Sequence, residues 1–281
     1  MLKPAFNIVP ADTDGDYATE AALILEIGDK NFSYLVVNKS TQRLIALKDF
    51  VLDQQTSRSM TERIAEVIAS DPLLSNKYRE TVVIYSSAES NIIPSAWNND
   101  EFDRAVTQLV YGNVQRGIIV REPIDRWDLV NVYRISREMQ SFVEQSFAPT
   151  KVYHVYSLML ATSDREEGKA AISLRFYSDK FIALVTRNGE LQLIQSFSYQ
   201  AREDVSYQLL AICEQFDLDS GSVQLLVSGL IDKQSVLYSE LEKYFLQINS
   251  DDRTGDINTL GAMTDLPAHY FSPLLSFASC A

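Results

Sequence analysis

Apolar and polar positions alternate in blocks along this chain, and the blocks recur. Leu23, Leu25 and Ile27 alternate with Ile24 and Glu26, which predicts a strand with two distinct faces. Gly28-Asp29 then turns the chain into a strand over 31–37, and a third strand comes after it over 43–52. A second block, 170–199, predicts three antiparallel strands, the last two joined by the tight turn Arg187-Asn188-Gly189-Glu190. Setting Leu25 over Leu174 puts Ile27 on Phe176, Phe32 on Phe181, Leu35 on Leu184 and Val36 on Val185. One β-meander is therefore written twice.

The segments after the two meanders are also alike. Ser59 with Glu62 three residues on is a capping-box pattern, and Met60, Ile64, Val67 and Ile68 form a stripe that predicts a helix over 58–70. Asp71-Pro72 stops it, and TVVIYS at 81–86 reads as a strand buried in a parallel sheet. In the second half, Asp204 is placed as the cap of a helix striped by Val205, Leu209, Ile212 and Phe216. VQLLV at 223–227 is its buried strand, and Leu237, Leu241, Tyr244 and Ile248 predict a further helix. The expected plan is α/β, two βββαβα halves spanning 1–155 and 156–281, divided near the polar loop 163–168.

Residues 91–127 interrupt the first half. Phe102, Ala105, Val106 and Leu109 predict a helix over 99–111, and 117–122 a strand. Beyond them come a strand at 129–135, a helix at 136–147 closed by Pro149, a strand at 151–155 and a short helix at 156–161. Residues 1–20, with Asp12, Asp14, Asp16 and Glu20, read as a lead-in whose Phe6, Ile8 and Val9 offer an edge strand. Residues 249–266 read as a mobile loop, and the apolar stretch 270–280 as a helix that docks back on the halves.

Charge narrows the function classes. With 25 Lys and Arg against 38 Asp and Glu, the net charge of −13 opposes binding to nucleic acid or an anionic membrane surface. No apolar run approaches the roughly 20 residues of a membrane helix, and the first residues lack a secretory pattern, so the expected compartment is the cytoplasm. Cys213 and Cys280 have no ligand-like spacing and are expected as buried thiols, without a metal. His154 and His269 sit in no catalytic motif; His154 reads as a hydrogen-bonded residue between halves and His269 as a residue on the cap side of the last helix. Trp97, Tyr111 and Trp127, in and around the interruption, are candidate contacts for a protein partner.

Two tandem βββαβα units with an insertion in the first resemble the ribonuclease-H-like fold of the actin-like ATPases. The detail is similar to a bacterial family described only as a domain of unknown function with an actin-like fold. The residues carrying this are Ile92-Ile93-Pro94, Lys151-Val152-Tyr153-His154, Asn188-Gly189-Glu190-Leu191 with Phe197-Ser198-Tyr199, Asp204 to Leu210, Gly229 with Leu237-Tyr238-Ser239-Glu240-Leu241, and Tyr270-Phe271-Ser272-Pro273-Leu274-Leu275. Working actin-like ATPases hold ATP and magnesium with an Asp-x-Gly hairpin in each half and a Gly-Gly turn. The resemblance places Glu26 and Gly28 at the first hairpin, Arg175 and Tyr177 at the second, and Gly229 with Leu230 at the turn. A guanidinium cannot ligate magnesium and a tyrosine ring fills phosphate space, so the expectation is a catalytically degenerate protein that serves as a scaffold or binding module, with no catalytic residue and no cofactor. The alternative is an ATP- and magnesium-binding or phosphoryl-transfer protein with a reworked site, where Gly28 approaches phosphate and Arg175 clamps it. Glu26 and Arg175 are expected either to pair or to reach solvent separately. The partner's identity and the oligomeric state stay open.

Overall fold

The computed structural model describes residues 3–10, 20–52, 57–97, 99–112, 117–165, 167–259 and 266–280, without the side chains of Ser279 and Cys280. Asp12, Asp14 and Asp16 of the acidic lead-in, and 260–265 of the expected loop, lie outside these residues. Two compact units result: the chain through Ala161 with a short stretch from Asp256, and the chain from Thr162 to Gly255 with the segment ending at Phe277.

In the first unit, β1 (Phe6–Ile8), β2 (Ala21–Ile27), β3 (Asn31–Asn38), β4 (Arg43–Val51), β5 (Glu80–Tyr85) and β9 (Lys151–His154) form one sheet in the order β1-β4-β3-β2-β5-β9. β2, β5 and β9 run parallel. Leu23, Leu25, Ile27, Phe32, Tyr34, Val36, Val83 and Tyr85 pack with Ile64 and Val67 of α1 (Met60–Ser70) and Val143 and Phe147 of α3 (Arg137–Phe147). The capping box of α1 forms as the Ser59/Glu62 spacing predicts. Tyr34 donates to Asp71 at 2.5 Å, and Lys48 reaches the same carboxylate at 2.8 Å, which fixes the end of α1 beneath the sheet.

The interruption is larger than the stretch 91–127 read from the sequence. β6 (Ser90–Pro94), β7 (Ile118–Ile124) and β8 (Leu129–Ile135) form a separate sheet with β8 in the middle, carrying α2 (Asp100–Tyr111). The strand at 129–135 therefore belongs to the inserted module, because both of its edges are paired within it.

The second unit has the order β12-β11-β10-β13-β14, built from β10 (Ala170–Phe176), β11 (Lys180–Arg187), β12 (Glu190–Ser198), β13 (Gln224–Gly229) and β14 (Gln247–Ser250). α5 (Arg202–Gln215) and α6 (Val236–Leu241) pack on one face through Val205, Leu209, Ile212 and Leu241. Two expectations are corrected here. Asp204 is inside α5, where its carboxylate reaches back to accept the Gln200 and Ala201 N–H groups at 2.9 Å each. The helix expected to continue through Ile248 ends at Leu241: Tyr244 and Phe245 both bond its carbonyl at 3.0 Å, and Ile248 lies in β14 beside Leu225. The spacing of Leu237, Leu241 and Ile248 imitates a helical stripe because all three face the same core.

The duplication extends to single hydrogen bonds. Gly28 N–H bonds Asn31 O at 2.9 Å, and at the equivalent place Tyr177 N–H bonds Lys180 O at 2.8 Å. Ser86 N–H bonds Ile27 O as Leu230 N–H bonds Phe176 O, each at 2.9 Å. The register of β3 on β4 slips between Val36 and Val37, and that of β11 on β12 between Val185 and Thr186, which are aligned positions.

Candidate functional site

In open α/β sheets, ligands gather at the carboxyl ends of parallel strands. In the first unit those ends are Ile27, Tyr85 and His154. Gly28 comes directly after β2. A Cβ there would lie 2.1 Å from Asn31 Oδ1 and 2.7 Å from Ser86 Oγ, so a larger residue would have to displace these two side chains. Glu26 is opposite Ser33, Ser33 is opposite Asp49, and the Ser33 hydroxyl donates to the Asp49 carboxylate. All three are buried, on the sheet face away from α1. Glu26 and Arg175 are 1% and 6% exposed, so separate exposure to solvent is excluded for both.

His154 ends β9 and starts α4 (Val155–Thr162). Its Nδ1 accepts the Tyr156 N–H at 3.2 Å, so the ring proton is on Nε2, which donates to Ser87 O at 3.0 Å. These ring bonds lie within the first unit rather than between halves. Tyr133 and Tyr156 flank the ring at 4.8 and 4.9 Å. Glu122 of β7 accepts the His154 backbone N–H at 2.8 Å. Burial pushes the Glu122 carboxyl up to about 7, although the bonds from His154 and Ser157 oppose the shift. Ser157 also accepts from Asn131 at 3.0 Å, and Ser90 donates to Asn131 at 2.6 Å. A buried polar chain thus ties the inserted sheet to the start of α4.

The second unit builds the matching place from different residues. Tyr177 is buried, with the Arg175 guanidinium 5.2 Å and the Lys180 ammonium 5.2 Å from its ring centroid. The Phe277 ring lies 5.0 Å from the same guanidinium. Tyr199 donates to the Tyr177 carbonyl at 2.7 Å, which holds the backbone beneath the ring. Gly229 has φ +79°, and a Cβ there would be 2.2 Å from Phe176 O. His269, just after Pro267, donates from Nε2 to Ile231 O at 2.6 Å.

Of the aromatic partner candidates, Trp97 is exposed and packs edge-on against Phe102 at 5.1 Å. Tyr111 is half-buried, bonded through its hydroxyl to the Ser90 backbone. Trp127 is corrected: it is buried, its indole N–H donating to Leu160 O at 2.8 Å, and offers no surface. Cys213 is buried, and burial raises its thiol above the usual range. Among the described residues no three His, Cys, Asp or Glu side chains converge as a metal-holding group, and no helix is long and apolar enough to cross a membrane.

Sequence reading missed Glu122 and Ser157, which fit no helical or alternating pattern. It also missed that each half uses one histidine to hold the loop two residues beyond its central parallel strand.

Among solved structures, a Bacteroides thetaiotaomicron protein with an actin-like ATPase fold and unknown function is 18% identical, covering 88% of this chain and 96% of its own, with a TM-score of 0.72. The PilM-PilN type IV pilus biogenesis complex contains a chain 12% identical, covering 92% of this chain and 98% of that one, with a TM-score of 0.59. None of the curated proteins matches. The fold is the duplicated ribonuclease-H-like architecture of actin-like ATPases. The model of the family "Protein of unknown function (DUF3822)" matches residues 11–248, and the chain belongs to that family.

Proposed function

We propose that this chain is an actin-like protein that does not hydrolyse ATP and acts by holding a protein partner. The observation that carries this is the packed set Arg175, Tyr177 and Lys180. Where the resemblance asks for a carboxylate and a glycine, the second hairpin has a guanidinium and a buried ring, with both cations 5.2 Å from the ring centroid. Neither Arg175 nor Tyr177 gives magnesium a carboxylate oxygen.

The inserted module supplies the partner surface in this reading. α2 turns Asp103 and Thr107 inward, Asp103 taking both of its contacts to Arg121 Nη1 at 2.8 and 2.7 Å. Leu109, 85% exposed, Val110 and Trp97 are left outward. A helix that buries an acid and exposes leucine suits contact with another protein. PilM, of like fold, occurs in a complex with PilN, in keeping with this use of the architecture.

Calorimetric titration with ATP and magnesium tests the reading. The expected result is no binding at millimolar nucleotide. Micromolar binding, abolished in Arg175→Ala, would instead establish the phosphoryl-binding alternative, which the close-packed Gly28 hairpin favours.

A further inference from the structure

α2 lies on its sheet by its polar side. Asp103, Thr107 and Tyr111 come one turn apart and are held inward. Asp103 takes both of its contacts to Arg121, the Thr107 hydroxyl donates to Asp103 O at 2.7 Å, and the Tyr111 hydroxyl donates to Ser90 O at 2.9 Å. A surface helix ordinarily turns its apolar stripe to the core. The stripe of α2 is Phe102, Val106, Leu109 and Val110, neighbours along one face of the helix. It climbs out of the module: Phe102 packs with Ile93, Val130 and Val132, Val106 is half-buried, and Leu109 and Val110 are 85% and 54% exposed. Rolling the helix to bury Leu109 would pull Asp103 from Arg121 and Tyr111 from Ser90.

Backbone chemistry limits what can cover such a stripe. A helix face presents side chains and no free N–H or C=O groups, so an extended peptide lying on it leaves its own backbone groups shielded from water and unpaired. A second helix arrives with those groups already bonded, and its ridges of side chains fit between those of α2.

Charge selects among helices. Three exposed carboxylates stand at the start of the stripe: Asp100 and Glu101 in the first turn of α2, and Asp128, whose carbonyl accepts the Ser95 N–H at 3.1 Å. Arg104 is the one cation of α2, and from Val106 to Gly112 no residue is charged. With the chain at net −13, a second copy or an anionic lipid surface is repelled and a basic segment is attracted.

We infer that α2 is the seat of an amphipathic helix of a partner protein, apolar where it meets Val106, Leu109 and Val110 and carrying Lys or Arg at the end beside Asp100 and Glu101. Trp97, edge-on to Phe102 at 5.1 Å, closes the acidic end of the seat. The inference rests on the reading of the inserted module as the partner surface, and adds the kind of element that binds and the direction in which it lies.

The probe is a phage library of random peptides about 16 residues long, enough for four helical turns, panned against the full chain. Enriched peptides are expected to carry apolar residues at spacings of three and four, to be net basic, and to gain helical circular dichroism on binding. Their affinity should fall at least about tenfold against Leu109→Ser, and should fall also against Asp100→Asn with Glu101→Gln. A bound peptide free of tryptophan should shift the emission of Trp97, which is exposed, whereas Trp127 is already buried. Enriched peptides that need Leu109 but are acidic, or that stay extended, overturn the basic helix and leave the partner surface in place. Peptides indifferent to Leu109→Ser overturn both, and so does a library from which nothing is enriched. Circular dichroism of the Leu109→Ser chain checks that this exposed substitution leaves the fold intact.

Discussion

The Nε2 of His154 lies 3.0 Å from the carbonyl oxygen of Ser87, two residues past the end of β5. In the other half, His269 makes the same bond to Ile231, two residues past the end of β13. Each imidazole thus pins the loop leaving a central parallel strand. His154 is fully buried and both of its ring nitrogens are engaged.

His154→Ala should therefore cost stability. It leaves Ser87 O and Tyr156 N–H without the ring and opens a void between two tyrosines. Each buried group left unpaired costs about 1–3 kcal/mol, so urea denaturation should show a loss of at least about 2 kcal/mol. A loss below about 0.5 kcal/mol, the range of ordinary surface substitutions, would mean the ring does not pin the loop.

Glu122 sets a pH dependence with a definite sign. Its carboxyl is pushed from the ordinary 4.5 up to about 7 in the folded protein, chiefly by burial. Between those values the folded state holds a proton that the unfolded state has released, so this group's contribution falls as pH rises through the window. The slope is at most about 1.4 kcal/mol per pH unit. Glu122→Gln cannot titrate. Wild type and variant should be similar in stability at pH 5, and the variant more stable at pH 8, in denaturant titrations at both values. The opposite order at pH 8 would show that the ionised carboxylate is favourably held.

Two glycines with nearly equal torsions should respond unequally. Gly189 and Gly229 have φ +75° and +79°, but a Cβ at Gly189 meets nothing within 4 Å while one at Gly229 runs into Phe176. Gly189→Ala should cost about 1–2 kcal/mol, the left-handed penalty alone. Gly229→Ala adds a clash with backbone and should lower the melting temperature well beyond that. Equal shifts in thermal melts would show that β13 yields at its end.

Much of this molecule is legible in its sequence. Alternation in 21–52 and 170–199 is strong because each strand buries one face against helices, and the repeat offset of Leu25 on Leu174 holds in the pairing registers. The pattern overextends α6 because Ile248 serves the same core from a strand. It cuts the inserted sheet short because nothing in the sequence of β8 says whether its neighbours are β6 and β7 or the main sheet. At the candidate site, Gly229 can be found because close backbone approach demands glycine. Trp127 is misplaced because an indole next to a polar turn reads alike whether it caps a surface or hydrogen-bonds inward. Glu122 is invisible, since its partners come from residues 154 and 157, on another element.

The slip in register after Val36 and again after Val185 marks the two meanders as copies of one irregular template. An extra residue at one place in both meanders is most simply inherited from a single ancestral half that already carried it. The module between β5 and β9 has no counterpart in the second half. The kinked meander is thus the part the two halves share down to its irregularity, and the inserted sheet the part that sets the first half apart.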